Sequence, residues 1–225
     1  MKKGCLYGLM LLLATLFASC GDDDDYYYPS VKLEFLTAYS GADGTLQSVQ
    51  TDDGARYTVL ADDSGTRINA DSLVRVICNY GLETAADGGE GVRLYALSKA
   101  IAPLPKPADS FKGGGVKTKP ADVTSIWLGC GYLNMVLSVK QQAVHTLGFV
   151  EDEVTVDDEG CATVRLTLYH DATSDVEDYT KRAYASVPLR QYLDDEDVRS
   201  LRVYFSVHTT DSDEGVKTYE FDVTE

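Results

Sequence analysis

Apolar and polar residues alternate with a period of two through much of this chain, most cleanly in SLRVYFSVHT, residues 200–209. Leu201, Val203, Phe205 and Val207 fall on one side, and Arg202, Tyr204, Ser206 and His208 on the other. Successive side chains of an extended strand point to opposite faces, so this spacing predicts a half-buried β-strand rather than a helix. GYLNMVLSVK, HTLGFV, CATVRLTLYH, RAYASVPL and VKTYEFDV have the same character, with EVTV as a further short candidate. Acidic turns separate them, which favours an antiparallel sandwich. The one helical candidate is LRQYLDDEDVRSL, residues 189–201.

A second group of strand-length runs lies upstream: VKLEF (31–35), TLQSVQT (45–51), ARYTVLA (55–61), LVRVICNY (73–80) and GVRLYAL (91–97). Gly- and Asp-rich turns divide them. Five strands in so short a span predict a small OB-type barrel. Between the two groups, Pro103, Pro105, Pro107 and Pro120 flank Gly113 to Gly115, a composition that neither a helix nor an internal strand can continue. Four lysines against Asp109 make this segment basic. The fold class expected is therefore all-β: an N-terminal OB-type five-stranded barrel over 30–105, a linker over 106–121 and a C-terminal antiparallel β-sandwich over 122–225.

The N-terminus carries an address. Lys2 and Lys3 precede an apolar run, Leu6 to Phe17, that is too short to span a bilayer, so residues 1–19 read as a secretory signal. FASC, residues 17–20, resembles the lipobox of bacterial lipoproteins, with Cys20 as the lipid attachment site. Acyl chains on that cysteine would anchor the protein without any membrane-spanning helix. Asp22 to Asp25 repel one another and stay hydrated, making residues 20–29 an acidic tether. An acidic run directly after the lipidated cysteine resembles the surface-export signal of Bacteroidetes lipoproteins, which implies the outer membrane and an outward-facing position. The alternative is a plain spacer on a protein facing the periplasm.

The formal net charge is −16, and loss of residues 1–19, which hold Lys2 and Lys3 and no acid, takes it to −18. Such acidity argues against nucleic-acid partners, whose phosphates are met mainly by clustered Lys and Arg. Once Cys5 and Cys20 are set aside, Cys78, Cys130 and Cys161 remain. Cys78, amid apolar residues, reads as a small buried thiol. A Cys130–Cys161 bridge is left open by the sequence.

No nucleophile elbow, zincin or Walker motif occurs, and no cofactor or metal is expected. Gly88-Gly89-Glu90-Gly91 precedes a strand and reads as a hairpin turn. DSDEG (211–215) and DDEG (157–160) lack the twelve-residue calcium-loop pattern. His170, next to Asp171, is the one histidine with a general-base look. Strand parity puts it with Val164, Leu166 and Leu168, and no nucleophile presents itself nearby. Its expected work is structural, with the ring bonding a backbone group at the core's edge. Fifteen tyrosines and Trp127 are the residues suited to a binding face, whether for protein or for sugar.

Trp127, the Gly129-x-Gly131-Tyr132-Leu133-Asn134 turn into a strand, His145 and Tyr169-His170-Asp171 together resemble the NigD-like family of Bacteroidetes lipoproteins. Cys130 is not part of that pattern. The resemblance implies an OB domain followed by a β-sandwich. The family takes its name from a bacteriocin gene cluster, from which an immunity role was suggested. The expectation is a non-catalytic surface protein, held to the membrane by lipid on Cys20, that binds a protein or, alternatively, a glycan.

Overall fold

Thirteen strands carry nearly all the regular structure among the described residues. The computed structural model describes residues 30–111, 114–172, 175 and 179–223. The signal segment, Cys20 and the acidic tether lie outside these described residues. From Val31 onward the chain forms one compact unit, so barrel and sandwich are parts of a single body.

Strands β1 (Lys32–Ser40), β2 (Leu46–Gln50), β3 (Arg56–Asp62), β4 (Leu73–Thr84) and β5 (Glu90–Lys99) close a barrel in the order β1-β2-β3-β5-β4. All pairs are antiparallel except β3 with β5, which closes the ring. Leu36, Ala38, Val49, Val76, Cys78, Tyr80, Val92 and Leu94 fill the interior. Burial pushes the Cys78 thiol up to about 12, so it packs as an inert apolar group. Parity on β1 therefore runs inward at Leu36 and Ala38, and Leu33 and Phe35 face out of the barrel. The apolar half of VKLEF is not barrel core.

The sandwich consists of β6 (Lys106–Pro107), β7 (Asp122–Gly129), β8 (Tyr132–Lys140), β9 (Thr146–Val156), β10 (Cys161–Asp171), β11 (Thr180–Pro188), β12 (Ser200–His208) and β13 (Val216–Val223). One sheet runs β13-β12-β10-β9-β6 and the other β11-β8-β7. Between them lie Leu133, Met135, Leu137, Phe149, Val164, Leu166, Leu168, Val187, Leu201, Val203, Phe205 and Val207. The inward parity expected for 200–209 and 161–170 is the parity found. Two pairs are parallel, β10 with β12 and β6 with β9, so the sandwich is mostly rather than wholly antiparallel.

Three details differ from the sequence reading. β7 was not among the expected strands; the bulge between Val123 and Ser125 breaks its alternation. EVTV is the end of β9, carried past a register shift, rather than a strand of its own. The helical candidate shrinks to one turn, α1 (Arg190–Leu193).

The 106–121 segment is a strap fastened to the sandwich. Lys106 and Pro107 pair with β9, a 3₁₀ turn follows at Ala108–Ser110, and the Phe111 ring stacks on Tyr169 at 4.5 Å. Thr118 bridges to His170, and the Lys119 amide donates to the His170 carbonyl. Cys78, Cys130 and Cys161 are all free thiols, so the bridge left open above is not formed.

Candidate functional site

The outer face of the barrel meets the outer face of the three-stranded sheet, and one buried cation ties them together. Arg75 sits on β4 between Val74 and Val76, with outward parity and a side chain that is 1% exposed. A guanidinium out of water needs most of its donors satisfied. Its Nη2 donates to the Asp52 carboxylate, from the turn after β2, and to Asn134 Oδ1 on β8 at 2.9 Å. Nη1 reaches Thr37 Oγ1 at 3.2 Å, and Nε reaches Ser186 Oγ on β11 at 3.4 Å. Its Cζ also lies over the rings of Phe35 and Tyr132, at 5.4 and 4.7 Å.

Asp52 is shared across the joint. Its Oδ2 accepts from Trp127 Nε1 at 2.8 Å and from Asn134 Nδ2 at 3.1 Å. A Cβ on Gly129 would lie 2.5 Å from Asp52 Cβ, which is why the chain can carry no side chain there. Ser186 closes the network by donating to Asn134 Oδ1 at 2.6 Å. No buried side-chain polar atom among the described residues is left without a partner. Barrel residues Phe35, Thr37, Asp52 and Arg75 thus interlock with sandwich residues Trp127, Tyr132, Asn134 and Ser186.

Beside this lock the two faces diverge into a cavity of about 580 Å³. Leu33, Phe35 and Ile77 of the barrel and Val136, Trp127 and Tyr184 of the sandwich line it, with Glu34, Asp52 and Asp53 among its polar residues. Leu33 is 56% exposed, and Phe35 turns ring edges to Trp127 (5.2 Å, 78°) and Tyr184 (5.9 Å, 68°). A hydrogen bond from the Thr51 hydroxyl and another from the Ala55 amide hold Asp53 below the usual carboxylate range. The cavity therefore offers an apolar floor and a mixed polar lining, to which Lys32 and Arg182 also belong.

The histidines form a second joint. His145 and His170 are both buried, with His145 Nδ1 2.8 Å from His170 Nε2. At one end His145 Nε2 lies 2.7 Å from Asp175 Oδ2, and at the other His170 Nδ1 lies 2.9 Å from the Lys119 carbonyl oxygen. The rings thus form a hydrogen-bonded relay between Asp175 and the strap backbone. Burial, and then the neighbouring His145, hold His170 below the ordinary histidine value, so its charged form is resisted. Asp171 does not orient His170; it pairs with Lys117 at 2.7 Å and so fastens the strap. His170 has the backbone partner expected of it.

The acidic turns spend their oxygens on their own backbone. Asp157 accepts from the Glu159 and Cys161 amides, and Asp195 accepts from the Asp197 amide. Among the described residues no group of three or more His, Cys, Asp or Glu side chains converges as a metal site would. Sequence reasoning missed Asp52, read only as part of a turn, and Arg75. The available signal for Arg75 was a lone charge inside the apolar run LVRVICNY.

The residues singled out in the sequence therefore gather at two joints: Trp127, Gly129, Tyr132 and Asn134 at the lock, and His145, Tyr169, His170 and Asp171 at the strap. The model of the NigD-like C-terminal β-sandwich domain matches residues 106–223, strap included. Among solved structures, the chain is similar to a NigD-like immunity protein from Bacteroides caccae, with 38% identity and a TM-score of 0.73, over 88% of this chain and 99% of that one. It shares its fold with a protein from Parabacteroides distasonis named as toxin-related, at 16% identity and a TM-score of 0.66, over 87% and 94% of the two chains. A Bacteroides fragilis protein named as a lipoprotein has the same fold at 10% identity and a TM-score of 0.56, over 87% and 98%. A search of curated proteins returns no match. With the sandwich model spanning more than half of its length and a relative of that identity along most of it, the chain belongs to the NigD-like family.

Proposed function

We propose that this protein is anchored by lipid on Cys20 to the outer membrane, faces outward, and acts without catalysis by binding another protein, in the manner of an immunity protein. One observation carries the reading: an apolar-floored cavity of about 580 Å³ at the joint, lined in part by exposed Leu33. Interface anchors are typically apolar or aromatic side chains entering such pockets. The immunity character rests on the relative named as an immunity protein. Cells lacking the chain should become sensitive to a protein toxin secreted by competing bacteria. Resistance should return with the wild type and not with Tyr184→Ala, a half-buried wall residue. Equal rescue by Tyr184→Ala would remove the cavity from the account, and no sensitivity to any such toxin would remove the immunity role.

Glycan binding is the second reading, favoured by Trp127 and Tyr184 at one site. Sugars stack on open aromatic faces, whereas these rings meet Phe35 at steep angles and Trp127 Nε1 is committed to Asp52. A glycan array probed with the mature chain separates the two: binding that Tyr184→Ala abolishes would favour sugar. For the anchor, Cys20→Ser should end lipid labelling and release the protein in soluble form.

A further inference from the structure

The cavity is bordered by two strand edges as well as by side chains. β1 pairs with β4 from Lys32 to Tyr39, but its pairing with β2 starts only at Thr37. Residues 32–36 therefore pair with a strand on one side alone among the described residues; Phe35 and Leu36 are buried, so the open part of this edge is 32–34. Among the described residues β7 is an end strand, paired with β8 alone. The opposite end strand of that sheet is covered, since Ile101 exchanges hydrogen bonds with Tyr184 and Ser186 on β11. The open stretches of β1 and β7 line the same space through Lys32, Leu33, Glu34 and Phe35 on one side and Thr124, Ser125 and Trp127 on the other. Lys32, Leu33, Glu34, Thr124 and Ser125 are exposed.

An unpaired edge presents a row of backbone donors and acceptors that only another extended backbone satisfies along its length. Pockets for alternate side chains then add selectivity, and the apolar floor at Leu33, Phe35 and Ile77 provides one. Charge narrows the occupant further. The charges of the cavity itself nearly balance, with Glu34 and Asp53 beside Lys32 and Arg182 and Asp52 paired with Arg75, but the whole chain carries −16. Such a field draws in cationic partners and repels anionic ones.

We infer that the partner protein docks by strand addition: an extended segment with alternating apolar and basic side chains pairs with the open edge of β1 at residues 32–34, inside the joint cavity. The inference rests on the protein-binding reading above and names its mode and chemistry.

The test uses the full mature chain and an alternating Lys-Val octapeptide, its Glu-Val counterpart, and a Lys-Val form N-methylated on every second amide along one edge or the other. The Lys-Val peptide should bind and slow amide exchange at residues 32–34 by about tenfold or more, as expected when an edge gains backbone partners. Affinity should fall about tenfold with the N-methylated form that blocks the pairing edge, with the Glu-Val peptide, and with Leu33→Lys, an exposed change that leaves the fold intact. Several results would overturn strand addition: no peptide binding, equal binding by both N-methylated forms, binding without protection of 32–34, or equal binding of the Glu-Val peptide. So would protection already present in the free chain, which gives the edge to the chain itself, or protection rising with protein concentration, which gives it to a second copy. Failure here with toxin resistance still dependent on Tyr184 removes the mode and keeps protein binding. Loss of that dependence removes both.

Discussion

Arg75 and Asp52 exert their effects through what each would leave behind if the other were lost. With Asp52 replaced by Ala, a guanidinium 1% exposed keeps Asn134 and Ser186 but loses its counter-charge. Breaking such a buried pair costs about 3–5 kcal/mol, so Asp52→Ala should lower stability by that order in urea denaturation. Gly129→Ala should cost about 1–3 kcal/mol for the overpacked Cβ against Asp52. The histidine pair adds a pH dependence of known sign. His170 is held below its ordinary value, so its contribution is intact above about pH 6.5 and is lost as pH falls through the lowered folded value. Melting temperatures at pH 7.5 and 5 check this: the wild type should lose its advantage over His170→Ala at the acid end. At pH 7.5 that substitution should cost about 1–3 kcal/mol. An advantage that grows with acid would contradict the lowered value of His170.

Strands differ in how plainly the sequence announces them, and packing explains why. β10 and β12 bury one face against the opposite sheet, so Val164, Leu166 and Leu168, and then Leu201, Val203 and Phe205, mark them at every second residue. β1 has two buried faces over Phe35 to Ala38, one in the barrel and one against the sandwich, and its alternation misleads about which side is core. β7 was hidden by its bulge, and β6 by a proline that sits at an edge. The strap read as a linker because Pro and Gly dominate it, while its fastenings (Phe111 on Tyr169, Lys117 on Asp171) involve residues far away in sequence. Of the lock, Trp127, Gly129 and Asn134 were legible through family resemblance. Asp52 and Arg75 were not, since a turn aspartate and a strand arginine acquire meaning only when two bodies meet. Asp171→Ala should loosen the strap, and proteolysis between Phe111 and Lys117 should then quicken several-fold in a timed trypsin digest. An unchanged digest would show that the lysine pair does not hold it.

At the scale of the whole molecule, the residues that carry the family pattern act as fasteners, and the cavity they leave open is where binding is proposed. That division makes a demand on cooperativity. If Asp52, Trp127 and Asn134 hold barrel and sandwich as one body, the wild type unfolds as one unit. Removing the shared carboxylate and its amide partner should let the two cores, each with its own buried cluster, melt separately. Differential scanning calorimetry of the Asp52→Ala/Asn134→Ala double variant beside the wild type measures this directly. The account predicts a single transition for the wild type and two resolved transitions for the double variant. A double variant that still melts in one transition, at an undiminished temperature, would contradict it.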